Sequence, residues 1–331
     1  MVKYSSRILL RTKPKEMNRL FWIFIFVILG IAQSSYAQGI LSSLEFLQYN
    51  PDAKSAGMGN TYLGNGRGMY LYGDPSVFGR NEDRLFASYS LAVLPKNALG
   101  MTLYNSFSAG YKFQPNWSIM AGFRMQTNPS IPIIDNSGFE LGKVKPNDWS
   151  IDFGSSVGLS EHWQSFVMGS FIHSYQGLNA SGVAFSLGAN YANDFSLSQL
   201  PIQYSCTLAL SNFGWGLKYG KDKKKVELPF AAELGGKLDV PFLANHKVSI
   251  AGIMGYELRT SITNRLFGGV GLEYEFMKFA SLRAGYHHRN YMNSFTFGIG
   301  GHYKFIALDL AYIMTQKNEF NQLRVGMSFG F

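Results

Sequence analysis

The chain has 331 residues, of which 15% are charged and 15% aromatic, with 36 glycines and a formal net charge of +9. Soluble domains carry nearer a quarter charged residues, and a mean hydropathy close to zero is too low for a bundle of membrane helices. Low charge, many aromatics and many glycines fit a membrane barrel, whose strands alternate apolar and polar residues.

The one long apolar run, residues 20–31 (LFWIFIFVILGI), follows Lys13, Lys15 and Arg19 and precedes Ser35, Tyr36 and Ala37. A basic region, a dozen apolar residues and a small-x-small end make a secretory signal peptide, too short to span a bilayer. Cleavage is expected after Ala37. Residues 1–37 hold six of the Lys/Arg and one acid, Glu16, so +5 of the formal +9 leaves with them and +4 remains. Nucleic-acid binding thereby loses its main support. The single cysteine, Cys206, excludes an intrachain disulfide and a multi-cysteine metal site.

Residues 38–84 do not follow a strand pattern. Residues 40–49 suit a short helix, and 57–73 are glycine-rich. A segment of this length ahead of the first strand is expected to act as a plug or hatch in the lumen. The glycines at 57, 59, 64, 66 and 68 lack both the Gly-x-Gly-x-x-Gly spacing and the Gly-Lys-Ser/Thr end of a phosphate-binding loop.

From residue 85 onward, short alternating segments predict fourteen strands: 85–94, 99–113, 117–127, 149–159, 163–175, 183–192, 203–211, 228–239, 246–257, 266–276, 279–288, 294–304, 306–315 and 322–331. The last is the clearest. Leu323, Val325, Met327, Phe329 and Phe331 share one face, opposite Arg324, Gly326, Ser328 and Gly330, the period-two pattern of a strand between lipid and lumen. Phe331 is the terminal aromatic that barrel-assembly machinery reads. Tight turns such as 114–116, 160–162 and 277–278 alternate with longer loops such as 128–148, 212–227 and 258–265, with 193–202 as a long exception among the turns. The expected architecture is an all-β transmembrane antiparallel barrel over 85–331, with both ends in the periplasm of an outer-membrane protein.

The dense charge run Lys218, Lys221, Lys223, Lys224 and Lys225 falls in an outer loop. There it is a solvated tip or a contact for lipopolysaccharide phosphates or an acidic partner. Arg124, Asp152, Glu273, Glu275, Arg283, Asp309 and Arg324 are placed on lumen faces, where charges must pair with one another, the plug or water. They are expected to form a structural network. His287 and His288 are adjacent on a strand and so face opposite ways, which disfavours a metal site with His246 and His302. Nothing in the spacing of Ser, His and Asp marks a catalytic triad, and no cofactor is implied.

The stretch Phe46-Leu47 through Asp52-Ala53-Lys54-Ser55-Ala56-Gly57-Met58-Gly59 resembles the N-terminal motif of the PorV/PorQ family. The resemblance continues through Asn147-Asp148-Trp149, Leu210-Ser211-Asn212-Phe213-Gly214, Leu282-Arg283-Ala284-Gly285-Tyr286 and Leu308-Asp309-Leu310-Ala311-Tyr312. One departure is Gly73-Asp74-Pro75-Ser76, where family members usually carry Asn-Pro-Ala. The resemblance implies a FadL-like outer-membrane barrel of Bacteroidota without enzymatic activity. It would act as a shuttle or scaffold for type IX secretion, with sorting-domain cargo and a surface attachment complex as partners. FadL-like relatives imply an alternative, a channel passing hydrophobic small molecules through the lumen.

Overall fold

Period-two alternation places every second side chain of a strand on the same face, and in a computed structural model of the chain the two faces become the outside and inside of a closed barrel. The structure describes residues 44–331 apart from 66–67, 98–99, 198–199, 221–223, 244, 260, 264 and 317–320. The signal-peptide reading of 1–37 and the start of the 38–84 segment lie outside the described residues.

The strands run β1 (Leu85–Asn97), β2 (Gly100–Gln114) and β3 (Trp117–Thr127), then the hairpin β4 (Ile131–Ile134) and β5 (Glu140–Val144). Next come β6 (Asn147–Gly158), β7 (Trp163–Tyr175), β8 (Asn179–Leu197) and β9 (Leu200–Gly214), then the hairpin β10 (Leu217–Tyr219) and β11 (Lys224–Val226). The chain closes with β12 (Ala231–Leu243), β13 (His246–Glu257), β14 (Leu266–Phe276), β15 (Ala280–Arg289), β16 (Met292–Tyr303), β17 (Ile306–Thr315) and β18 (Gln322–Gly330). Outside the two hairpins these form one antiparallel barrel of fourteen strands. β18 pairs back onto β1 from Phe86↔Gly330 to Val93↔Leu323, which leaves no open edge. The backbone oxygen of Phe331 accepts from the amides of Arg84 and Leu85, and its ring stacks on Phe305 at 5.0 Å.

The outer face is apolar. Phe153, Val167, Leu208, Leu282 and Phe297 are exposed there, while alternate positions such as Ser118, Ser150, Thr207 and Ser249 are buried inward. Aromatic rings band both ends of this face. Near the short turns lie Phe113 on Trp117, Trp163 on Tyr191, Phe242 on Tyr274 and Phe276 on Phe279. Near the long loops lie Trp149 on Phe171, Phe185 on Phe213 and Tyr286 on Phe295. Two aromatic girdles around an apolar band are the signature of a barrel seated in a bilayer. No helix among the described residues is long and apolar enough to cross a membrane.

Three expectations about boundaries change. The long turn 193–202 collapses, because Asn193–Leu197 pairs residue for residue with Leu200–Tyr204 and extends β8 and β9. The polar pair Asn193-Asp194 imitates a turn in sequence but lies within the ladder. Loops 128–148 and 212–227 each fold into a two-stranded hairpin. Of the helix expected over 40–49, only the single helical turn Glu45–Leu47 is present among the described residues.

Residues 44–84 pack against the inward faces of the strands and carry two short helices, α1 (Ala53–Gly57) and α2 (Pro75–Arg80). Asp52 caps α1 by accepting from the Ser55 amide at 2.9 Å and the Ser55 hydroxyl at 2.5 Å. Asp74 caps α2, with Pro75 in the first turn, where its missing N–H costs nothing. The Gly73-Asp74-Pro75-Ser76 departure is thus a helix start. Asp74 also accepts from the Gly64 amide at 2.9 Å and from Thr207 on β9 at 2.5 Å, tying the turn to the wall.

Candidate functional site

The inner segment meets the wall in two different ways. Over 52–59 its backbone lies directly on wall glycines. Gly57 sits on Gly298, and a Cβ built on it would stand 3.0 Å from the Gly298 Cα. A side chain at Gly285 would strike the Gly59 amide, one at Gly271 the Met58 carbonyl, and one at Gly269 the Gly59 carbonyl. Thr296 accepts from the Gly59 amide at 2.8 Å and donates to the Gly57 carbonyl at 3.1 Å. Gly59 itself adopts φ 66°, the left-handed region that favours glycine. Ala56 packs on Ala311 and Ile313. The motif Asp52, Ala53, Ser55, Ala56, Gly57, Met58, Gly59 is therefore a docking strip: a cap, then residues small enough for backbone to touch wall.

Opposite this strip the packing loosens into a cavity of about 60 Å³. Residues 47–50, 62–63, 71–73 and 75 line one side, and the inward faces of β3, β7, β8, β9, β12 and β15 line the other. Leu47, Leu63, Leu71, Phe166, Met168 and Ala209 give it apolar walls; Asn50, Arg124, Glu233 and Arg289 are its polar points. The polar groups are largely paired. Glu233 accepts from Tyr62 at 2.5 Å and Ser211 at 2.7 Å. Burial first, and then the neighbouring Glu233 carboxylate, push the Tyr62 hydroxyl well up, so it stays a donor. Burial likewise pushes the Tyr49 hydroxyl up to about 12. Arg289 reaches Glu257 at 3.2 Å and lies 4.0 Å over the Phe267 ring, while Glu257 also holds Arg259 at 2.7 Å and Gln48 at 3.1 Å. The wall itself bulges here. Ser211 and Asn212 together face Ser186, and the Asn212 amide, at φ 57°, donates to the Ser186 hydroxyl at 3.0 Å.

The seven lumen charges expected as one network fall into separate groups. Arg124 pairs with Asp152 at 2.9 Å under Tyr72, whose hydroxyl donates to Asp152 at 2.9 Å. Arg283 bridges Glu273 at 2.8 Å and Asp309 at 2.5 Å, and Lys54 of α1 reaches Glu273 at 3.5 Å. Glu275 stands apart with Lys247 at 3.3 Å. Arg324 meets no acid among the described ion pairs; it donates to the Asn50 carbonyl and, at 3.2 Å, to Gln322. Such spacing follows from the barrel, because positions far apart in sequence meet only at the same height on neighbouring strands, or across a glycine such as Gly300 of β16, which lets Arg283 reach Asp309.

Lys218 and Lys225 are exposed on the β10–β11 hairpin. Lys221, Lys223 and the side chain of Lys224 lie outside the described residues. His246 and His302 sit near the short turns, at the opposite end of the barrel from His287 and His288, and no group of metal-ligating side chains occurs among the described residues. Sequence reasoning missed Tyr62, Glu233, Glu257 and Arg289. Glu233 and Glu257 occupy inward positions of alternating strands, and that alternation was the available signal.

No family model and no curated protein matches the chain in sequence. Solved structures match in fold. The toluene transporter TbuX of Ralstonia pickettii superposes with a TM-score of 0.57 at 12% identity, covering 86% of this chain and 98% of that one. The toluene transporter TodX of Pseudomonas putida gives 0.55 at 13% identity, over 83% and 96%. The monoaromatic hydrocarbon channel CymD gives 0.54 at 10% identity, over 84% and 97%. The closed fourteen-strand antiparallel β-barrel is therefore a fold this chain shares with these three proteins.

Proposed function

We propose that the protein is a FadL-like outer-membrane channel for hydrophobic small molecules, closed by its inner segment in the state described here. The observation that carries this reading is the apolar-walled cavity between the inner segment and β7–β12, in a barrel whose fold matches hydrocarbon transporters. At about 60 Å³ the cavity is smaller than the roughly 150 Å³ that admits benzene, so passage requires the lining residues 62–63 and 71–73 to shift. Export by residues 1–37, assembly read from Phe331 and a non-enzymatic role belong to the same proposal. The test is saturable binding of a fluorescent apolar probe, such as N-phenylnaphthylamine, to detergent-purified protein, together with uptake of a labelled aromatic hydrocarbon in cells with and without the gene. Binding and gene-dependent uptake are expected; absence of both overturns the reading.

A second reading, a shuttle or scaffold for type IX cargo, is favoured by the ordered motifs and by the filling of the lumen. A barrel that handles cargo on its outer rim needs no through-path. Pull-down of native protein would recover sorting-domain cargo or attachment-complex partners, and a deletion strain would lose surface cargo. An unchanged cell surface with no such partner removes this reading.

A further inference from the structure

We propose that the β10–β11 hairpin is a lid over the outer mouth of the lumen, latched through Tyr219, Ser174 and Asp148, and that it lifts to admit solute to the cavity. Antiparallel partners directly opposite each other share a face, so Leu217, Tyr219 and Val226 lie on one side of the hairpin and Lys218 and Lys225 on the other. The lysine side is exposed. The apolar side turns inward. Leu217 is fully buried and lies on Gly182 of β8, where a Cβ would stand 2.8 Å from the leucine Cδ1. Tyr219 and Val226 pack on the same buried cluster as Leu217. The Tyr219 hydroxyl donates to that of Ser174 on β7 at 2.5 Å, and Ser174 donates to Asp148 on β6, which also accepts from Gln176 at 3.2 Å. Ser174 and Asp148 are buried on the lumen faces of their strands, as are Ala180 and Ala184 on either side of Gly182. The hairpin therefore does not prolong the wall of β9 and β12; it folds back over β8, β7 and β6.

What lies beneath makes this a closure. The cluster under Leu217 takes in Ile172 and Ala184 of the wall and Leu44 and Phe46 of the inner segment, and reaches Leu94 of β1, the strand directly opposite β12 in the ring. Tyr104 on β2 donates to the Phe46 carbonyl at 3.1 Å. Leu47 belongs to this cluster and also lines the cavity. The lumen is thus stacked in three layers: hairpin, apolar cluster, cavity. The hairpin is the outermost, at the long-loop end, which in outer-membrane barrels faces the exterior. Two three-residue strands that bury one face only are the kind of element that opens locally while the rest of the fold stays closed.

The solute step rests on the channel reading above, whereas the lid itself is tested without solute. Cys206, the one native thiol, is exposed and is replaced by alanine. In that background Ala184→Cys places a thiol beneath the lid, and a membrane-impermeant cationic methanethiosulfonate added to intact cells reads how often the lid is open. Labelling is expected to be slow with the native hairpin. Tyr219→Phe keeps the ring and loses one hydrogen bond, and should label about fivefold faster. Leu217→Ala removes the buried anchor and should label about thirtyfold faster or more. Unchanged heat-modifiable migration shows that each barrel is folded. In the purified proteins N-phenylnaphthylamine should associate faster in the same order, with its equilibrium affinity unchanged in Tyr219→Phe. Equal labelling of all three folded proteins would overturn the lid. Graded labelling with equal association rates would overturn its part in admitting solute. Graded labelling with no probe binding in any of the three would overturn the channel reading and leave the lid standing.

Discussion

The wall from β14 to β18 and the wall from β6 to β12 treat the same inner segment differently. On the first, backbone lies on backbone through Gly57, Gly59, Gly271, Gly285 and Gly298, and the Lys54–Glu273–Arg283–Asp309 chain crosses the contact. On the second, the segment is anchored mainly through side chains, with Leu63 on Gly235 and Leu71 on Gly154, and a cavity remains beside a β-bulge. Close backbone contact leaves no room to adjust, because protein interiors are packed like crystals. A cavity is where packing already falls short. Any movement that opens the lumen should therefore begin beside β6–β12 and pivot on the docking strip.

Removing the buried ion-pair centre gives the largest expected effect. Arg283→Ala leaves Glu273 with only Lys54 and Asp309 without its partner, and should cost about 3–5 kcal/mol in denaturant unfolding of the detergent-solubilised protein. On the cavity side, Arg289→Ala leaves Glu257 with Arg259 and Gln48 and should cost about 1 kcal/mol. Arg289 lies on β15 like Arg283, so equal losses would show that the cavity lining is held as tightly as the docking strip.

The docking strip can be tested without touching a charge. Gly285→Val drives a side chain into the Gly59 amide, an overpacking expected to cost about 1–3 kcal/mol. Because the strand itself tolerates valine, the barrel should survive while residues 44–84 become cleavable by an added protease. A protected inner segment in a folded G285V protein would show that the strip is not the pivot. A smaller effect is expected from Asp52→Ala, which removes the α1 cap and should cost about 1 kcal/mol; Asp52→Asn, which can still accept from the Ser55 amide, should recover most of it.

The barrel was legible in sequence because membrane and lumen impose the same alternation on every strand. Leu323 to Phe331 alone shows the principle, and the number of wall strands follows by repetition. The two hairpins were not legible: Ile131–Ile134 and Lys224–Val226 are too short to carry a period. The docking strip was half legible. Gly57 and Gly59 stand out as a cluster, but their counterparts Gly271, Gly285 and Gly298 are single glycines in separate strands, joined only by the register of β14–β16. The cavity residues Tyr62, Glu233 and Arg289 are dispersed for the same reason, and no local pattern unites them.

The smallest structural effect carries the sharpest functional test. Ala209 is buried at the cavity wall, and Ala209→Val adds two carbons to a strand position where a β-branched residue fits. Filling empty space rather than forcing atoms apart, it should change stability by no more than about 0.5 kcal/mol. If the cavity is where an apolar solute first lodges, losing that room should weaken N-phenylnaphthylamine binding by about tenfold or more, since a methylene in an apolar pocket is worth 10-fold or more. Leu208, the next residue, faces lipid, and Leu208→Val should leave binding unchanged. The two substitutions are one peptide apart, so any general effect on β9 would appear in both. A loss confined to Ala209→Val ties solute binding to the loose wall; equal binding in both variants moves the solute path away from the cavity.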